Sequence, residues 1–469
     1  MPDKIYHTVL PVPPEKAFDW HERPGAFERL TPPWEDVEVV SRSGGIRDGG
    51  EVRLKISKGP MALDWHLRHT DYRAGEQFVD QQVSGPFEHY RHEHRFLAGP
   101  EPGTTRLEDA LSWDVPLGAA GEWVGGARVE RELDRTFRFR HTRVRQDLEL
   151  HERYREVPRK RVAISGASGL IGSTLGHLLT TGGHEVVPLV RSRAEADAGG
   201  GIYWSVRDEV VDEEGLQGVD ALVHLAGEPI NAVRWTEEKK RAIRESRVQG
   251  TRLLSQTLAQ LPGGPEAMIC ASAVGYYGDR GDQVVTEETD RGKGFLAETV
   301  DAWEGASRRA EGAGIRVVRV RFGLVLSPDG GALPKMLWAF KSGLAGRIGN
   351  GRQYVPWIDL DDVTGILYHA IMDPGVRGVL NGTAPNPVTN ATFTDILGRV
   401  LHRPTVVPVP ALAVRAALGE MGEELLLKGQ RARPKRTEAS GYQFRFRDLE
   451  PSLRHQLGRH DDDGPRESG

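Results

Sequence analysis

VAISGASGLIG, residues 162–172, is the stretch that decides the fold. Its apolar run ends in three glycines spaced G-x-x-G-x-x-G: Gly166, Gly169 and Gly172. Beyond them Leu175, Leu178 and Leu179 recur at helical spacing, so the stretch predicts strand, tight turn and helix. Such a turn needs one glycine with an unusual dihedral, one where backbone approaches a pyrophosphate, and one where helix packs on strand. The helix N-terminus adds free N–H groups and a partial positive charge. Gly166, Ser168, Gly169, Leu170, Ile171 and Gly172 are therefore expected to cradle a dinucleotide. A plain strand–helix turn is the alternative that the surrounding sequence must remove.

Downstream, strands alternate with helices from about residue 159 to 402, which predicts a mostly parallel, doubly wound sheet. The second strand, Glu185 to Val190, ends in Arg191-Ser192-Arg193. This lies roughly twenty residues past the last glycine, where an NAD-binding chain places a carboxylate for the ribose 2′-hydroxyl. Arginine cannot accept that hydroxyl's proton but pairs well with a 2′-phosphate. Arg191 and Ser192 thus favour NADP(H), with NAD(H) possible; the other reading of Arg191 is a solvent-facing loop residue. A strand from Ala221 to Leu225 follows, then Ala226-Gly227, a helix from about Thr236 to Leu261, and the strand MICASAVGYYG.

The chain's 469 residues are too many for one core. A net charge of -5 argues against a nucleic-acid footprint. No apolar run reaches the length of a membrane span, and the start, MPDKIYHTVL, carries charges where a signal peptide has its apolar core. A single cysteine, Cys270, suits a reducing cytoplasm and reads as a small buried hydrophobe. Nothing in the sequence bears on oligomeric state.

Upstream, residues 1–155 read as a separate module, followed by the linker Glu156 to Lys160. A strand (Ile5 to Val12) leads into a helix carrying Ala17, Phe18 and Trp20 onward to Leu30. Short strands follow at Glu51–Ile56, Leu63–Asp71, Phe78–Val83, His89–Phe96 and Thr105–Val115. A charged helix from about Val129 to His151 carries an apolar stripe of Leu133, Phe137, Val144 and Leu148. On the strand at 89–96, Tyr90, His92, His94 and Phe96 share one face. Two histidines there read as a polar cavity wall; with no third ligand in view, no metal is expected.

This module, with its run FVDQQVSGPFEHYRHEHRF, resembles the SRPBCC superfamily of START and polyketide-cyclase-like proteins. The resemblance implies an α+β helix-grip fold around a cavity for an apolar ligand. DALVHLAG resembles the extended short-chain dehydrogenase/reductase family, whose H-x-A-G segment lies under the nicotinamide ribose and diphosphate. It implies a Rossmann-type sheet and cofactor contacts at Leu225, Ala226 and Gly227. VRVRFGLVLSPDGGAL, WIDLDDV and LNGTAPNPVTNATFTDIL resemble that family's later segments, in order. In the family a Tyr-x-x-x-Lys pair moves the proton, the lysine lowering the tyrosine pKa. Here Leu296 and Val300 fall on those two positions and Arg247 on the family's helix asparagine, so of the usual tetrad only Ser272 remains.

GEPIN, RWTEEKK, SRV and SAVGYYG resemble an atypical epimerase-like branch without the catalytic pair. Residues 403–457 resemble that branch's small C-terminal domain of unknown function, and 458–469 should be a disordered tail. The expectation is a cytoplasmic NAD(P)-dependent epimerase or oxidoreductase acting on a small molecule. Ser272 would orient a carbonyl oxygen and Tyr276 act as acid, assisted by Arg321 or Lys335, with wall packing the other reading of Tyr276 and Tyr277. Arg234, Trp235, Tyr277 and Arg321 are the substrate-contact candidates, although Trp235 also suits packing. The rival is a non-catalytic NADP-responsive sensor.

Overall fold

The computed structural model describes residues 3–59, 61–114, 127–230 and 234–459. Most of the tail expected to be disordered, from residue 460, lies outside them, as do Val115 and Asn231. The chain divides into two compact units, Met1–Val157 with Thr180–Gly183, and Pro158–Leu179 with His184–Gly469.

The first unit runs β1 (Lys4–Leu10), α1 (Pro14–Glu22), α2 (Ala26–Leu30), β2 (Asp36–Ser43), β3 (Glu51–Lys58), β4 (Met61–Arg73), β5 (Gln77–Ser84), β6 (His89–Ala98), β7 (Thr105–Asp114) and α3 (Ala127–Arg153). Its seven strands form one antiparallel sheet in the order β1-β7-β6-β5-β4-β3-β2. The single helix expected to reach Leu30 is instead two. Pro24 disfavours helical dihedrals in the residue before it, so Arg23 is extended, and Gly25 re-enters at φ 93° to start α2. Strand β2, DVEVVSRS, was not anticipated; its outer residues are exposed and its apolar signal is thin.

On α3, Phe137, Val144 and Leu148 are buried as the stripe predicts, and Phe139, Arg143 and Asp147 join them. Arg29 of α2 reaches Asp147 through Nε at 2.7 Å and Nη2 at 2.6 Å, both side chains almost fully buried. This ion pair and a histidine–aspartate group lie among the aromatics of the interior.

The second unit contains β8 (Arg161–Ser165), α4 (Leu170–Thr181), β9 (Glu185–Val190), β10 (Ile202–Ser205), β11 (Val210–Val211), β12 (Ala221–His224), α5 (Glu237–Gln260), β13 (Ala267–Ala273), α6 (Phe295–Ala306), β14 (Arg316–Phe322), α7 (Leu360–Met372), β15 (Gly378–Gly382), α8 (Asn390–Leu401), α9 (Ala411–Gly422) and α10 (Leu449–Leu457). The sheet order is β11-β10-β9-β8-β12-β13-β14-β15, parallel throughout except at β11. Central strands read as continuous apolar runs because both faces are covered: Val162, Ala163, Ile164, Leu222 and Val223 are fully buried. Strand order reverses between β8 and β12, and that switch point is where a doubly wound sheet opens a crevice.

The C-terminal segment is built into this unit. Leu449, Leu453 and Leu457 complete the apolar cluster that holds Phe393 and Leu397 of α8. Arg431 and Ala432 pair as a short strand with Val284 and Val285. Within residues 431–436, Arg431 lies over the Tyr354 ring and Lys435 pairs with Glu288 at 2.8 Å.

Candidate functional site

The glycine loop sits at the switch point. Gly166 has φ 74°, and a Cβ there would stand 3.0 Å from the Ala226 nitrogen of the neighbouring strand end. A Cβ at Gly172 would fall 2.2 Å from the Gly166 carbonyl oxygen, so only glycine lets α4 start this close to the loop. Gly169 N–H donates to Gly166 O at 3.0 Å and closes the turn. Ser168 and Gly169 are exposed at its apex, while Leu170 and Ile171 are half-buried in the first helical turn.

Ser165 fastens the crevice from below. Its Oγ lies 2.6 Å from His224 Nδ1 and accepts from the Leu225 and Ala226 amides at 3.2 and 3.4 Å. Burial pushes His224 down to about 4, so the imidazole is neutral near pH 7 and acts as a strut. Gly227 is exposed beside the loop. At the end of β9 the Arg191 side chain is exposed and makes no hydrogen bond or ion pair to a described residue. Ser192 Oγ accepts from Glu195 N at 3.2 Å, capping the helical turn Arg193–Asp197.

Beyond β13 the chain makes a tight turn, Val274–Tyr277, and a closed polar network forms behind it. Ser272 Oγ donates to Glu304 Oε1 at 2.6 Å. Arg321 of β14 grips the same carboxylate from the other side, Nε to Oε1 at 2.7 Å and Nη2 to Oε2 at 2.8 Å. Its Nη1 donates to Tyr277 Oη at 3.0 Å, and that hydroxyl donates to Asn381 Oδ1 at 2.7 Å. Burial works to lower the Arg321 guanidinium, but the paired bonds to Glu304 outweigh it and its pKa is raised. Burial pushes Tyr277 up to about 12 despite Arg321 beside it.

Three of the expected site residues lie in this network. Tyr277 is fully buried and Arg321 is 3% exposed with every nitrogen engaged. Ser272 is 2% exposed and its proton is committed to Glu304, which makes it a support for that carboxylate. Tyr276 alone stays half-buried, its ring 3.5 Å from the Arg321 guanidinium carbon and its hydroxyl bonded to no described residue. Lys335 carries no bond to this network among the described residues. Leu296 packs with the Trp235 cluster and Val300 is 3% exposed, so neither position offers a proton.

Arg234 and Trp235 also have other employment. Gly419, at φ 59° and ψ -139°, kinks α9 and frees carbonyls in the turn before it. Arg234 donates to those of Ala416 and Ala417, and Lys240 pairs with Glu420 at 3.0 Å. Trp235 is buried with Ile243 and Met421, its Nε1 donating to Ile230 O at 2.9 Å. This cluster fastens the C-terminal segment to the start of α5. Arg247, where the family has asparagine, is half-buried and donates to Glu228 O at 2.9 Å and Ile243 O at 3.0 Å, holding the loop after Gly227.

The profile of the NAD dependent epimerase/dehydratase family matches residues 162–380. That described as polyketide cyclase/dehydrase and lipid transport matches 10–139, and a domain of unknown function matches 409–456. An epimerase family protein of Mycobacterium bovis is 45% identical over 292 residues, 62% of this chain and 96% of the relative. The crystal structure of human epimerase family protein SDR39U1 with NADPH is 38% identical, with TM-score 0.58, covering 62% of this chain and 97% of that one. The structure described as the nucleoside-diphosphate sugar epimerase from Corynebacterium glutamicum covers 97% of this chain and 90% of its own, at 35% identity and TM-score 0.78. Among the described residues, no helix is long and apolar enough to cross a membrane. On the glycine crevice, the sheet order and these matches, the chain belongs to the NAD(P)-binding epimerase family, preceded by a polyketide-cyclase-like unit and closed by the domain of unknown function.

Proposed function

We propose that the second unit binds NADP(H) in preference to NAD(H) and acts on a small oxygenated substrate as a cytoplasmic oxidoreductase or epimerase without the tyrosine–lysine pair. The observation that carries the cofactor choice is the unengaged, exposed Arg191 at the end of β9, with no carboxylate in its place. In this reading the diphosphate rests on Gly166–Gly172 and the start of α4, Arg191 and Ser192 take the 2′-phosphate, and Leu225–Gly227 run beneath the nicotinamide ribose. When bound, the cofactor would supply hydride chemistry to the substrate. The chain's part is to orient both and to exchange a proton at Tyr276 Oη, the remaining free hydroxyl beside the network that Ser272, Glu304 and Arg321 lock. The division into residues 1–155, 159–402 and 403–457 belongs to the same proposal, the first being a ligand-binding unit.

Titration tests the cofactor half. Arg191→Ala should weaken NADPH by about ten- to a hundredfold, the worth of a charged hydrogen bond of about 1.5–3 kcal/mol, and leave NADH unchanged. Equal affinity of the native chain for the two cofactors would refute it. For the reaction, NADPH consumption or product formation is screened against metabolite pools, with nucleoside-diphosphate sugars first because the Corynebacterium neighbour is so described.

A second reading has its own support. Leu296 and Val300 remove the usual proton relay, and the network behind Tyr276 is closed. A protein that binds NADPH tightly yet turns over nothing would be an NADP-responsive binding protein.

A further inference from the structure

Strand register in the first unit brings together residues far apart in sequence. Asp80 of β5 stands directly opposite His92 of β6, and His94 of β6 directly opposite Asp109 of β7. All four point to the same face, since positions two apart on a strand share a side. Asp80 Oδ2 lies 3.3 Å from His94 Nε2 and 3.8 Å from His92 Nδ1. One donor atom from each of Asp80, His92 and His94 falls within 4.8 Å of the other two. Donors around a first-row ion at bond lengths near 2.1 Å stand roughly 3.0–3.4 Å apart, so these three already converge to within about an ångström of that spacing.

The opposite nitrogens of the same two rings meet a second carboxylate. His92 Nε2 and His94 Nδ1 lie 2.9 and 2.8 Å from Asp109 Oδ1, and His141 of α3 holds Asp109 Oδ2 at 2.6 Å. A carboxylate behind each imidazole is the arrangement that fixes ring orientation and tautomer in metal-binding histidines. On the other side His69 Nδ1 stands 2.7 Å from Asp80 Oδ1.

Within the protein this cluster is enclosed. The His92 and His94 side chains are 1% and 8% exposed, and His94 Nε2 and Asp80 Oδ2 share a hydrogen bond at 3.3 Å.

We infer that Asp80, His92 and His94 bind a first-row divalent transition-metal ion of the zinc or iron(II) class, with Asp109 and His141 orienting the two imidazoles. Two histidines and one carboxylate leave coordination positions open to water or a ligand oxygen. The inference is independent of the NADP(H) reading, because every residue in it belongs to the first unit.

The test uses the full chain, tag-free and stripped with a chelator, titrated with Co2+ and read by its visible d–d absorption. One equivalent per chain should bind, Zn2+ should displace it, and Zn2+ should raise the melting temperature of the stripped protein. Asp80→Asn and His92→Gln should each weaken Co2+ by at least about a hundredfold, and Asp109→Asn by roughly ten- to a hundredfold. No Co2+ band and no Zn2+-dependent melting shift in the folded native chain would overturn the inference. So would uptake that survives in Asp80→Asn with an unchanged circular dichroism spectrum. Should His92→Gln not fold, the native chain and near-isosteric Asp80→Asn decide it between them.

Discussion

Arg321 binds both oxygens of Glu304 and the hydroxyl of Tyr277 while its guanidinium stands over the Tyr276 ring, and that occupation sets what each neighbour can do. Its charge is matched by Glu304 at 2.7 Å, so little of it is left to acidify a tyrosine. Tyr277 accordingly stays well above neutrality and is a structural hydroxyl, bridging Arg321 to Asn381. Removing that hydroxyl in Tyr277→Phe leaves two buried polar groups short of a partner and should cost about 1–3 kcal/mol of stability, read by urea unfolding, with NADPH affinity unchanged. Tyr276→Phe should do the reverse once a substrate is found: turnover falls about a hundredfold while melting temperature and cofactor affinity hold. Equal turnover in the two variants would remove Tyr276 from the reaction. None of this partition was readable from SAVGYYG, because two adjacent tyrosines give no sign of which one the following turn folds inward.

Elements were most legible where the pattern was local. The alternation in HYRHEHRFLA gave the correct inward face of β6, and the leucines after Gly172 gave α4. What stayed hidden depended on partners in other elements. Arg29 lies in a five-residue helix whose sequence, AFERL, looks surface-exposed, yet its guanidinium is buried against Asp147 on α3. Arg234 looked like a substrate contact, and only the kink at Gly419 explains the carbonyls it caps. The Arg29–Asp147 pair makes a sharp prediction at this scale. Asp147→Ala strands a buried guanidinium and should cost about 3–5 kcal/mol, whereas Arg29→Met with Asp147→Leu should recover most of it, since a buried pair is close to break-even against apolar side chains. Native-state hydrogen exchange across α3 distinguishes the outcomes, and a single variant as protected as the native chain would contradict them.

Across the whole molecule, the order of modules was readable because each carries its own punctuation: glycines at the crevice, alternating strands before it, a changed composition after it. The joining of the C-terminal segment to the Rossmann unit was not, since the carboxylates that receive it read as ordinary acids in WIDLDDV. Asp359 is fully buried, accepting from Ser452 Oγ at 2.6 Å and Gln456 Nε2 at 2.9 Å on α10. Asp362 accepts from Tyr442 Oη at 2.9 Å and from the Arg445 and Phe446 amides. Asp361 is buried between them, with His455 Nε2 3.7 Å away. Burial, then the charges of Asp361 and Asp362, push Asp359 up to about 8, and burial pushes Asp362 up to about 6. An unfolded aspartate titrates near 3.9, so between about pH 4 and pH 8 the folded chain holds a proton on Asp359 that the unfolded chain has released. Stability from this group is complete below about pH 4 and falls as pH rises to about 8, by about 1.4 kcal/mol per pH unit within that window. Groups shifted the other way, such as His224, add an opposite slope in acid, so the native curve alone mixes the two. The difference between native chain and Asp359→Asn cancels them. Asparagine keeps the shape of the protonated acid without its titration, so the variant should match the native chain below about pH 4 and grow steadily more stable relative to it toward pH 8. Protection of the α10 amides in hydrogen exchange reads this directly. A difference that does not change with pH would mean that Asp359 is ionised in the fold and that its bonds to Ser452 and Gln456 hold a charge.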